Sequence, residues 1–315
     1  MRVSEARKRP PVESRYLCWL SIAVVALVAA AFQTLCSYYS QPSSGTGDPA
    51  FYQSYISKSW TSDYDCFVQC FTRVNSSDYV LACGGYGSSK LLLVSGFGSN
   101  VIKSRTVFTA EKNLFFEGCT VIDQKRLAVL TWREHVILEL DLDSFKLIRQ
   151  IPYSHEGWGL GYDETTGILW SSDGSDKLYR LDSKSFAKLG ECSVRICGES
   201  LRYINELEII NGTIFANFYM DSSQLKGSPN FVVGIDSATC QVNQVIPLFG
   251  LEPRRTGSSV FNGIAVGDNG ALLVTGKNWR HIYEVLLGDA VAPNSNDLWN
   301  QYPITAFTRV TYSFR

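Results

Sequence analysis

The sequence is poor in histidine and methionine and carries no excess of either charge. Only three of its 315 residues are histidine and two are methionine, and the formal net charge is −1. Because nucleic-acid binding depends on a strong basic excess, no DNA or RNA partner is expected. Three scattered histidines can hardly form a zinc site of the usual histidine-rich type. Histidine-based metal chemistry is therefore not expected either.

Charge is absent altogether from residues 16–36, which read YLCWLSIAVVALVAAAFQTLC. As a helix that rises about 1.5 Å per residue, this segment is long enough to cross the roughly 30 Å hydrocarbon core of a membrane. Five basic residues precede it, whereas the first one after it is Lys58. This asymmetry predicts a cytoplasmic basic tail at residues 1–15 and a transmembrane signal anchor at residues 16–36. A cleaved signal peptide is the alternative, although its apolar region usually has about 7–15 residues.

Residues 37–60 are rich in Ser, Tyr, Gly and Pro and are predicted to form a stalk. The predicted topology is single-pass type II, with everything downstream in the secretory lumen or outside the cell. Two possible glycosylation acceptors, Asn75 in NSS and Asn211 in NGT, agree with this topology. In an oxidising compartment some cysteines should pair, but the odd number downstream of the anchor leaves the pairing open. These seven are Cys66, Cys70, Cys83, Cys119, Cys192, Cys197 and Cys240.

The remaining residues, 61–315, are predicted to be nearly all β-strand. Short apolar runs such as KLLLVS, RLAVLTW and HVILELDL are separated by turn-forming pairs, which is typical of strands and hairpins. Five related segments recur 39 to 57 residues apart: FVQCF, FEGCT, HEGWG, INELE and FNGIA. A period of about 40–50 residues with three or four strands indicates propeller blades. The predicted fold is an all-β, five-bladed β-propeller catalytic domain behind an N-terminal transmembrane helix.

Each recurring segment contributes one polar residue, in order Gln69, Glu117, Glu156, Asn205 and Asn262. The first strand of each propeller blade lines the central channel, so these side chains should meet at one channel mouth. One interpretation is that they only hydrogen-bond between blades, and Glu156 in particular is expected to cap backbone N–H groups. Aromatic residues at nearby positions of the repeat favour a ligand site instead: Trp132, Trp158, Tyr219 and Trp279.

Eight motifs resemble, in the right order, the pattern of the plant- and bacterial-type glutaminyl-peptide cyclotransferases. They are FVQCF, FFEG, LTW, EGWGL, SDGSDKLYRLD, YINELEIINGTIFAN, NGIA and VTGKNW, and they cover residues 66–285. That family folds as a five-bladed propeller and converts the N-terminal glutamine of peptides to pyroglutamate with release of ammonia. The resemblance implies the same activity on peptides or proteins with N-terminal Gln. It also implies an enzyme with no metal and no cofactor. We further expect a monomer.

The resemblance assigns nine site residues to this sequence. Catalytic residues are implied at Glu117, Asn205 and Lys277. Substrate-binding residues are implied at Phe67, Gln69, Phe115, Trp132, Trp158 and Tyr219. Two positions depart from the plant pattern, since Cys70 stands in place of a glycine and Tyr219 in place of a tryptophan.

Cyclisation of glutamine needs a base for the substrate α-amine and an acid for the departing ammonia. Glu117 is expected to perform both steps. Candidate donors to the oxyanion of the tetrahedral intermediate are Lys277, Asn205 and an indole N–H of Trp132 or Trp158. Burial should raise the pKa of Glu117, and a nearby Lys277 should lower it.

Two other functions remain open at this point. The oxygen atoms of Glu117, Glu156, Asn205 and Asn262 are hard ligands that could hold Ca²⁺, as in a propeller hydrolase of the lactonase kind. The second alternative is a non-catalytic propeller that displays a binding surface on the membrane.

Overall fold

The computed structural model describes residues 49–219, 230–252 and 259–291, which form an all-β fold, as predicted. Within these ranges the only helical element is a 3₁₀ turn at Asp268–Gly270. No helix in the same ranges is long and apolar enough to cross a membrane. The predicted cytoplasmic tail, the predicted anchor at residues 16–36, residues 37–48 of the predicted stalk and residues 292–315 lie outside the described residues.

The described chain begins with strand β1 (Ala50–Ser62) and continues in groups of antiparallel strands that follow one another in sequence. The first group is β2 (Val68–Arg73), β3 (Tyr79–Cys83), β4 (Lys90–Ser95) and β5 (Val101–Thr109). The second is β6 (Phe116–Ile122), β7 (Arg126–Thr131), β8 (Val136–Asp141) and β9 (Leu147–Pro152). The third is β10 (Leu160–Asp163), β11 (Ile168–Ser172), β12 (Lys177–Asp182) and β13 (Lys188–Ser193).

A short hairpin, β14 (Arg195–Ile196) with β15 (Glu199–Ser200), precedes the fourth group. That group is β16 (Ile204–Ile210), β17 (Thr213–Phe218), β18 (Asn230–Asp236) and β19 (Val242–Leu248). The last group has three consecutive strands, β20 (Phe261–Val266), β21 (Leu272–Gly276) and β22 (His281–Val291). Its fourth strand comes from the other end of the described chain.

Strand β1 completes the last group by pairing antiparallel along the length of β22. Short parallel contacts of β1 with β19 and β5 link the neighbouring groups into one twelve-stranded sheet. The predicted stalk at residues 37–60 therefore extends too far, because residues 50–60 belong to this strand. Ser- and Tyr-rich composition suggested a stalk because only Phe51 and Trp60 of β1 are buried, as expected for an outer strand.

The first strands of the groups contact one another in a closed ring, in the order β2, β6, β10, β16, β20 and back to β2. Five hydrophobic clusters fill the spaces between neighbouring groups. In one of them Phe71 and Leu81 pack with Leu273 and Ile282, which joins the first group to the last. Because groups cover both faces of the inner strands, β3 is buried at every position, whereas the outer strand β9 is largely exposed.

Three hairpins between third and fourth strands use the same local hydrogen bonds. Asp141, Asp182 and Asp236 end β8, β12 and β18, and each carboxylate accepts the backbone N–H three residues later. The next residue of each turn adopts a positive φ: Phe145, Phe186 and Cys240. These aspartates end the apolar runs ILELD, LYRLD and VVGID, so local sequence sets the turn.

Three disulfides connect described cysteines: Cys66–Cys83, Cys70–Cys119 and Cys192–Cys240. The second of them ties β2 to β6, the first strands of neighbouring groups. It uses Cys70, which departs from the plant pattern of the resemblance. Sequence alone could not pair these residues, since the partners in two of the three bridges lie almost fifty positions apart.

Replacing Cys70 and Cys119 together by serine should lower the free energy of unfolding by about 4 kcal/mol, because the cross-link closes a long loop in the unfolded chain. The matched control replaces Cys192 and Cys240 by serine, since the two bridges have separations of 49 and 48 residues. Urea denaturation of both variants should show losses of similar size. A large loss in only one of them would mean that native contacts, and not loop closure, determine its contribution.

Candidate active site

The nine predicted site residues all lie at one end of the ring of first strands. Six stand at or just before the starts of first strands: Phe67, Gln69, Phe115, Glu117, Trp158 and Asn205. Three directly follow the ends of second strands: Trp132, Tyr219 and Lys277. Because a second strand runs antiparallel to the first, its last residue lies beside the start of the first, as in the pairs Phe116–Thr131 and Phe261–Gly276. Antiparallel pairing thus collects residues from the whole domain at one end.

Hydrogen bonds between buried side chains form the floor of the site. Asn205 Nδ2 donates to Asn262 Oδ1 at 3.0 Å, and Asn262 Nδ2 donates to Gln69 Oε1 at 2.8 Å. Gln69 Nε2 then donates to Glu117 Oε1 at 3.0 Å. Glu117 is the most exposed of the four, at 7%. Four different first strands supply these residues, so each satisfies the buried polar groups of its neighbours.

Glu117 is a carboxyl group that burial holds in its neutral form to unusually high pH. Loss of hydration raises the pKa of Glu117 from its usual 4.5 to about 8. Lys277 opposes this shift, whereas Glu134 and Glu156 add to it, so burial prevails over the lysine. Glu117 Oε2 has no hydrogen-bond partner among the described residues, yet it is not one of their fully buried unpaired atoms. This oxygen therefore keeps some contact with solvent.

Lys277 supplies the cation of the site and is 6% exposed. Its Nζ lies 4.8 Å from the ring centroid of Phe67 and 5.0 Å from that of Tyr219. Among the described residues it makes no direct ion pair, so the two aromatic faces stabilise the ammonium group. Burial lowers the pKa of Lys277 and the charge of Glu117 opposes that change.

Half-buried aromatic side chains form a wall around this floor. Phe115 lies 6.5 Å from Phe67 and 5.5 Å from Trp132, measured between ring centroids. Trp158 packs edge-on against Tyr219 at 6.0 Å. The rings therefore lie against the lysine and, through Phe115 beside Gln69 at Gly84, next to the floor that carries the carboxyl group.

Two glycines allow this wall to pack closely. A Cβ atom at Gly84 would lie 2.3 Å from the ring of Phe115, and one at Gly174 would lie 2.5 Å from the indole of Trp158. Gly174 also has a φ of 78°, which disfavours other residues. Substitution at either position would displace a ring of the wall.

Glu156 has a role different from the one that the sequence predicted. Its Oε2 accepts hydrogen bonds from two indoles, at 3.2 Å from Trp132 Nε1 and 3.3 Å from Trp158 Nε1. Its Oε1 lies 3.4 Å from Nε of Arg133, whose guanidinium group stacks 3.9 Å from the Trp132 ring centroid. Glu156 therefore holds the aromatic wall and does not cap backbone N–H groups. The indole N–H groups are engaged, which argues against the oxyanion role considered for them.

Other residues near the site were missed or misplaced by sequence reasoning. Glu134 accepts hydrogen bonds from the hydroxyl of Tyr86 at 2.8 Å and from the backbone N–H of Phe115 at 3.2 Å. Its place two residues after Trp132 was the available signal. Trp279 is 2% exposed and stacks on Phe261, so it belongs to the core and not to the wall.

The residues considered as Ca²⁺ ligands are bonded to other protein groups. Asn205, Asn262 and Glu117 belong to the hydrogen-bonded floor, and Glu156 binds the two indoles. Within the described ranges no group of three or more His, Cys, Asp or Glu residues is placed to hold a metal ion.

A separate cavity of about 730 Å³ lies at the other end of the ring, where the first strands end. Its lining includes Arg73, Glu208 and the two possible glycosylation acceptors, Asn75 and Asn211, but none of the nine predicted site residues. Strand β1 also begins at this end, because Phe51 pairs with Val291 at the far end of β22.

The fold and the site thus define an all-β protein with a buried carboxyl group and a lysine inside an aromatic wall. The sequence model of the family described as glutamine cyclotransferase matches residues 26–287. The chain belongs to this family, which confirms the resemblance drawn from the eight motifs.

Two similar proteins support this family assignment. The chain is 30% identical over 248 residues to the glutaminyl-peptide cyclotransferase of Arabidopsis thaliana, covering 76% of this chain and 72% of that protein. It is also similar to the crystal structure of Myxococcus xanthus glutaminyl cyclase, with 29% identity and a TM-score of 0.64. That similarity covers 78% of this chain and all of the other.

Replacing Glu156 by alanine should release the indoles of Trp132 and Trp158, because their shared acceptor is lost. Their indole N–H resonances should shift and their hydrogen exchange should become faster in ¹⁵N NMR spectra. The control is Glu191→Ala, which removes a carboxylate paired with two lysines elsewhere. Unchanged indole resonances in the Glu156 variant would contradict the role assigned to this carboxylate.

The carboxyl group of Glu117 should titrate with a midpoint near 8, which ¹³C NMR of labelled glutamate can measure. In Lys277→Met the midpoint should move to higher pH, because the positive charge that favours the carboxylate is removed. Lys177→Met, at an exposed lysine paired with Glu191, should leave it unchanged. A midpoint near 4.5 in the unaltered chain would show that the site is hydrated.

Proposed function

We propose that this chain is a glutaminyl-peptide cyclotransferase, which converts the N-terminal glutamine of peptides and proteins to pyroglutamate and releases ammonia. The observation that carries the proposal is Glu117, a buried carboxyl group with its pKa raised to about 8 and one oxygen without a hydrogen-bond partner among the described residues. Membership of the family and the names of the two relatives support it.

We infer that the groups of four strands are the blades of a five-bladed β-propeller. The closed ring of first strands and the five hydrophobic clusters between groups support this count. In this architecture β1 is the outer strand of the last blade, and the site occupies one mouth of the central channel.

The proposed reaction joins the substrate α-amine to the carbonyl carbon of its own side-chain amide. An α-ammonium group has a pKa of about 7.7–8.0, close to that of Glu117, so a proton can pass between them at small cost in free energy. Ionised Glu117 takes one proton from the ammonium group, and the amine then attacks the amide carbon. Glu117 next gives this proton to the amide nitrogen, which leaves as ammonia. The second proton lost by the amine passes through Glu117 and departs with the ammonia as ammonium.

Donors for the oxyanion of the tetrahedral intermediate come from Lys277 and Asn205 in this proposal. Lys277 has no ion-pair partner in the described part of the chain, and its ammonium group is already held by two rings. Asn205 gives one amide hydrogen to Asn262 and retains a second. Fixed donors of this kind typically contribute about 10²–10³-fold to the rate of such reactions.

The aromatic wall would hold the glutamine side chain folded toward its own amine. Phe67, Phe115, Trp132, Trp158 and Tyr219 are the proposed substrate-binding rings, with Gln69 beneath them. Restricting a flexible chain to its cyclising conformation is a proximity effect. An ionised Glu117 would also attract an α-ammonium group, which fits selection for free N-termini.

We further propose that the protein acts in the secretory lumen or outside the cell, held as a single-pass type II protein by residues 16–36. Disulfides between described cysteines support an oxidising compartment. Asn75 and Asn211 are exposed, as glycosylation would require.

The decisive assay follows pyroglutamate and ammonia formation from a Gln-initiated peptide with the purified full chain. We expect kcat/KM to peak near pH 8, because the reactive state holds one proton between Glu117 and the amine. Glu117→Gln should lower kcat by about 10²–10⁴-fold, and Lys277→Met by about 10²–10³-fold, with folding intact. Glu191→Gln is the control, with unchanged kcat expected.

Each contrary result has a distinct meaning. Near-normal turnover by Glu117→Gln would show that the acid–base role is wrong. A folded wild-type chain without activity would favour the non-catalytic binding protein. Loss of activity with a chelator and recovery with Ca²⁺ would favour the calcium-dependent hydrolase.

A further inference from the structure

The side-chain amides in the floor of the site all donate in one direction, toward Glu117. These bonds form a hydrogen-bond chain, and Asn262, which is completely buried, stands in the middle of it. Its Nδ2 donates to Gln69 Oε1 and to the backbone carbonyl of Val68, and its Oδ1 accepts from Asn205 and Asn217. The mechanism proposed above gives Asn262 no role.

Backbone groups determine the direction of this hydrogen-bond chain, beginning at Asn217. A side-chain amide can be turned around without changing its shape, so its oxygen and nitrogen are distinguished only by their partners. Asn217 Oδ1 accepts the backbone N–H of Glu206 at 3.0 Å, and its Nδ2 donates to the carbonyl of Phe261 at 2.8 Å. A backbone N–H only donates and a carbonyl only accepts. Asn217 therefore has one orientation, which directs its second amide hydrogen to Asn262 Oδ1 at 3.4 Å.

The same reasoning sets the orientation of Asn262 and then of Gln69. Asn262 Oδ1 faces the donor from Asn217, and its Nδ2 faces the Val68 carbonyl at 3.2 Å, which can only accept. The nitrogen of Asn262 is therefore also the atom that meets Gln69. Gln69 must turn its oxygen to Asn262 and its nitrogen to Glu117.

We propose that Asn262 is a positioning residue for the reaction: through Gln69 it keeps Oε1 of Glu117 as a hydrogen-bond acceptor, so that Oε2 alone carries the transferred proton. Oε1 is occupied by the N–H of Gln69 at the floor, whereas Oε2 has no partner among the described residues and keeps contact with solvent. This proposal rests on the cyclotransferase function and deepens it. Asn262 itself is buried beneath the pocket and does not touch substrate.

The N–H that Gln69 donates stabilises the ionised carboxylate. Interrupting the hydrogen-bond chain should therefore make Glu117 a weaker acid. The other charged groups that act on Glu117 are Lys277, Glu134 and Glu156, from neighbouring elements. None of the three hydrogen-bonds to Asn262 in the described structure. A change at Asn262 therefore reaches Glu117 through Gln69.

The test compares Asn262→Ala and Asn262→Asp with the unaltered full chain. The ¹³C-labelled carboxyl carbon of Glu117, identified by its absence in Glu117→Gln, is followed by NMR from about pH 6 to 10. In Asn262→Ala the midpoint should move upward by about one pH unit. In Asn262→Asp it should move further, because an ionised aspartate only accepts and turns the Gln69 amide around. At pH 7 kcat should fall about tenfold while KM changes less than about threefold, and the acid limb of the pH profile should follow the NMR midpoint.

Ser172→Ala is the control, because the Ser172 hydroxyl is fully buried and hydrogen-bonds only to the backbone N–H of Gly159 and the carbonyl of Asn205. Loss of this hydroxyl should lower the stability of the ring of first strands without changing the midpoint of the Glu117 titration. An unchanged midpoint in folded Asn262→Ala would overturn the proposal. If the midpoint moves as expected but the unaltered chain forms no pyroglutamate, the cyclotransferase function fails and the hydrogen-bond relay stands.

A measurement on the unaltered chain covers the case in which neither Asn262 variant folds. One side-chain N–H resonance of Gln69 should move downfield as Glu117 ionises, with the same midpoint as the Glu117 carboxyl carbon. A Gln69 amide resonance that does not respond to this titration would contradict the proposed direction of the hydrogen-bond chain.

Discussion

The antiparallel pairing of β1 with β22 is the interaction on which the rest of the structure depends. It completes the last group of strands and joins the beginning of the described chain to its end. Only in the closed ring does β20 lie beside β2, and this contact brings Asn262 to Gln69, 193 positions away in sequence. A pairing at the outer edge of the molecule therefore assembles the polar floor at its centre.

The centre of the ring is polar, although hydrophobic clusters surround it. An unpaired buried polar group costs about 1–3 kcal/mol, so each needs a partner on another strand. Glu206 illustrates this, since its carboxyl group accepts the backbone N–H of Phe71 at 3.0 Å and of Ile264 at 2.7 Å. The amides that lead to Glu117 also bridge the strands, since Asn262 donates to the Val68 carbonyl and Asn217 to the Phe261 carbonyl. Chemistry and folding place the same demand on these residues, which limits how freely either can change.

The sequence predicted the positions that the local repeat pattern sets. It did not predict the roles that depend on which residues are neighbours in three dimensions. Gln69, Glu117 and Asn205 could be placed together because each marks the start of a first strand. Glu156 holds a similar place in the repeat, and only its distances to two indoles reveal its different role. The outer strands β9 and β13 escaped notice because exposed strands need no apolar alternation. Strand β1 was taken for a stalk for the same reason, and the disulfide partners follow from the ring, not from spacing.

The direction of β1 also determines where the pocket lies relative to the start of the described chain. Ala50 lies at the end of the ring away from the pocket, the same end as the turns that carry Asn75 and Asn211. Any sugars attached to these two asparagines would therefore stand at the end where the described chain begins. The pocket and the first described residues therefore lie at opposite ends of the ring. Substrate N-termini would then reach the pocket without competing for space with sugars attached to Asn75 or Asn211.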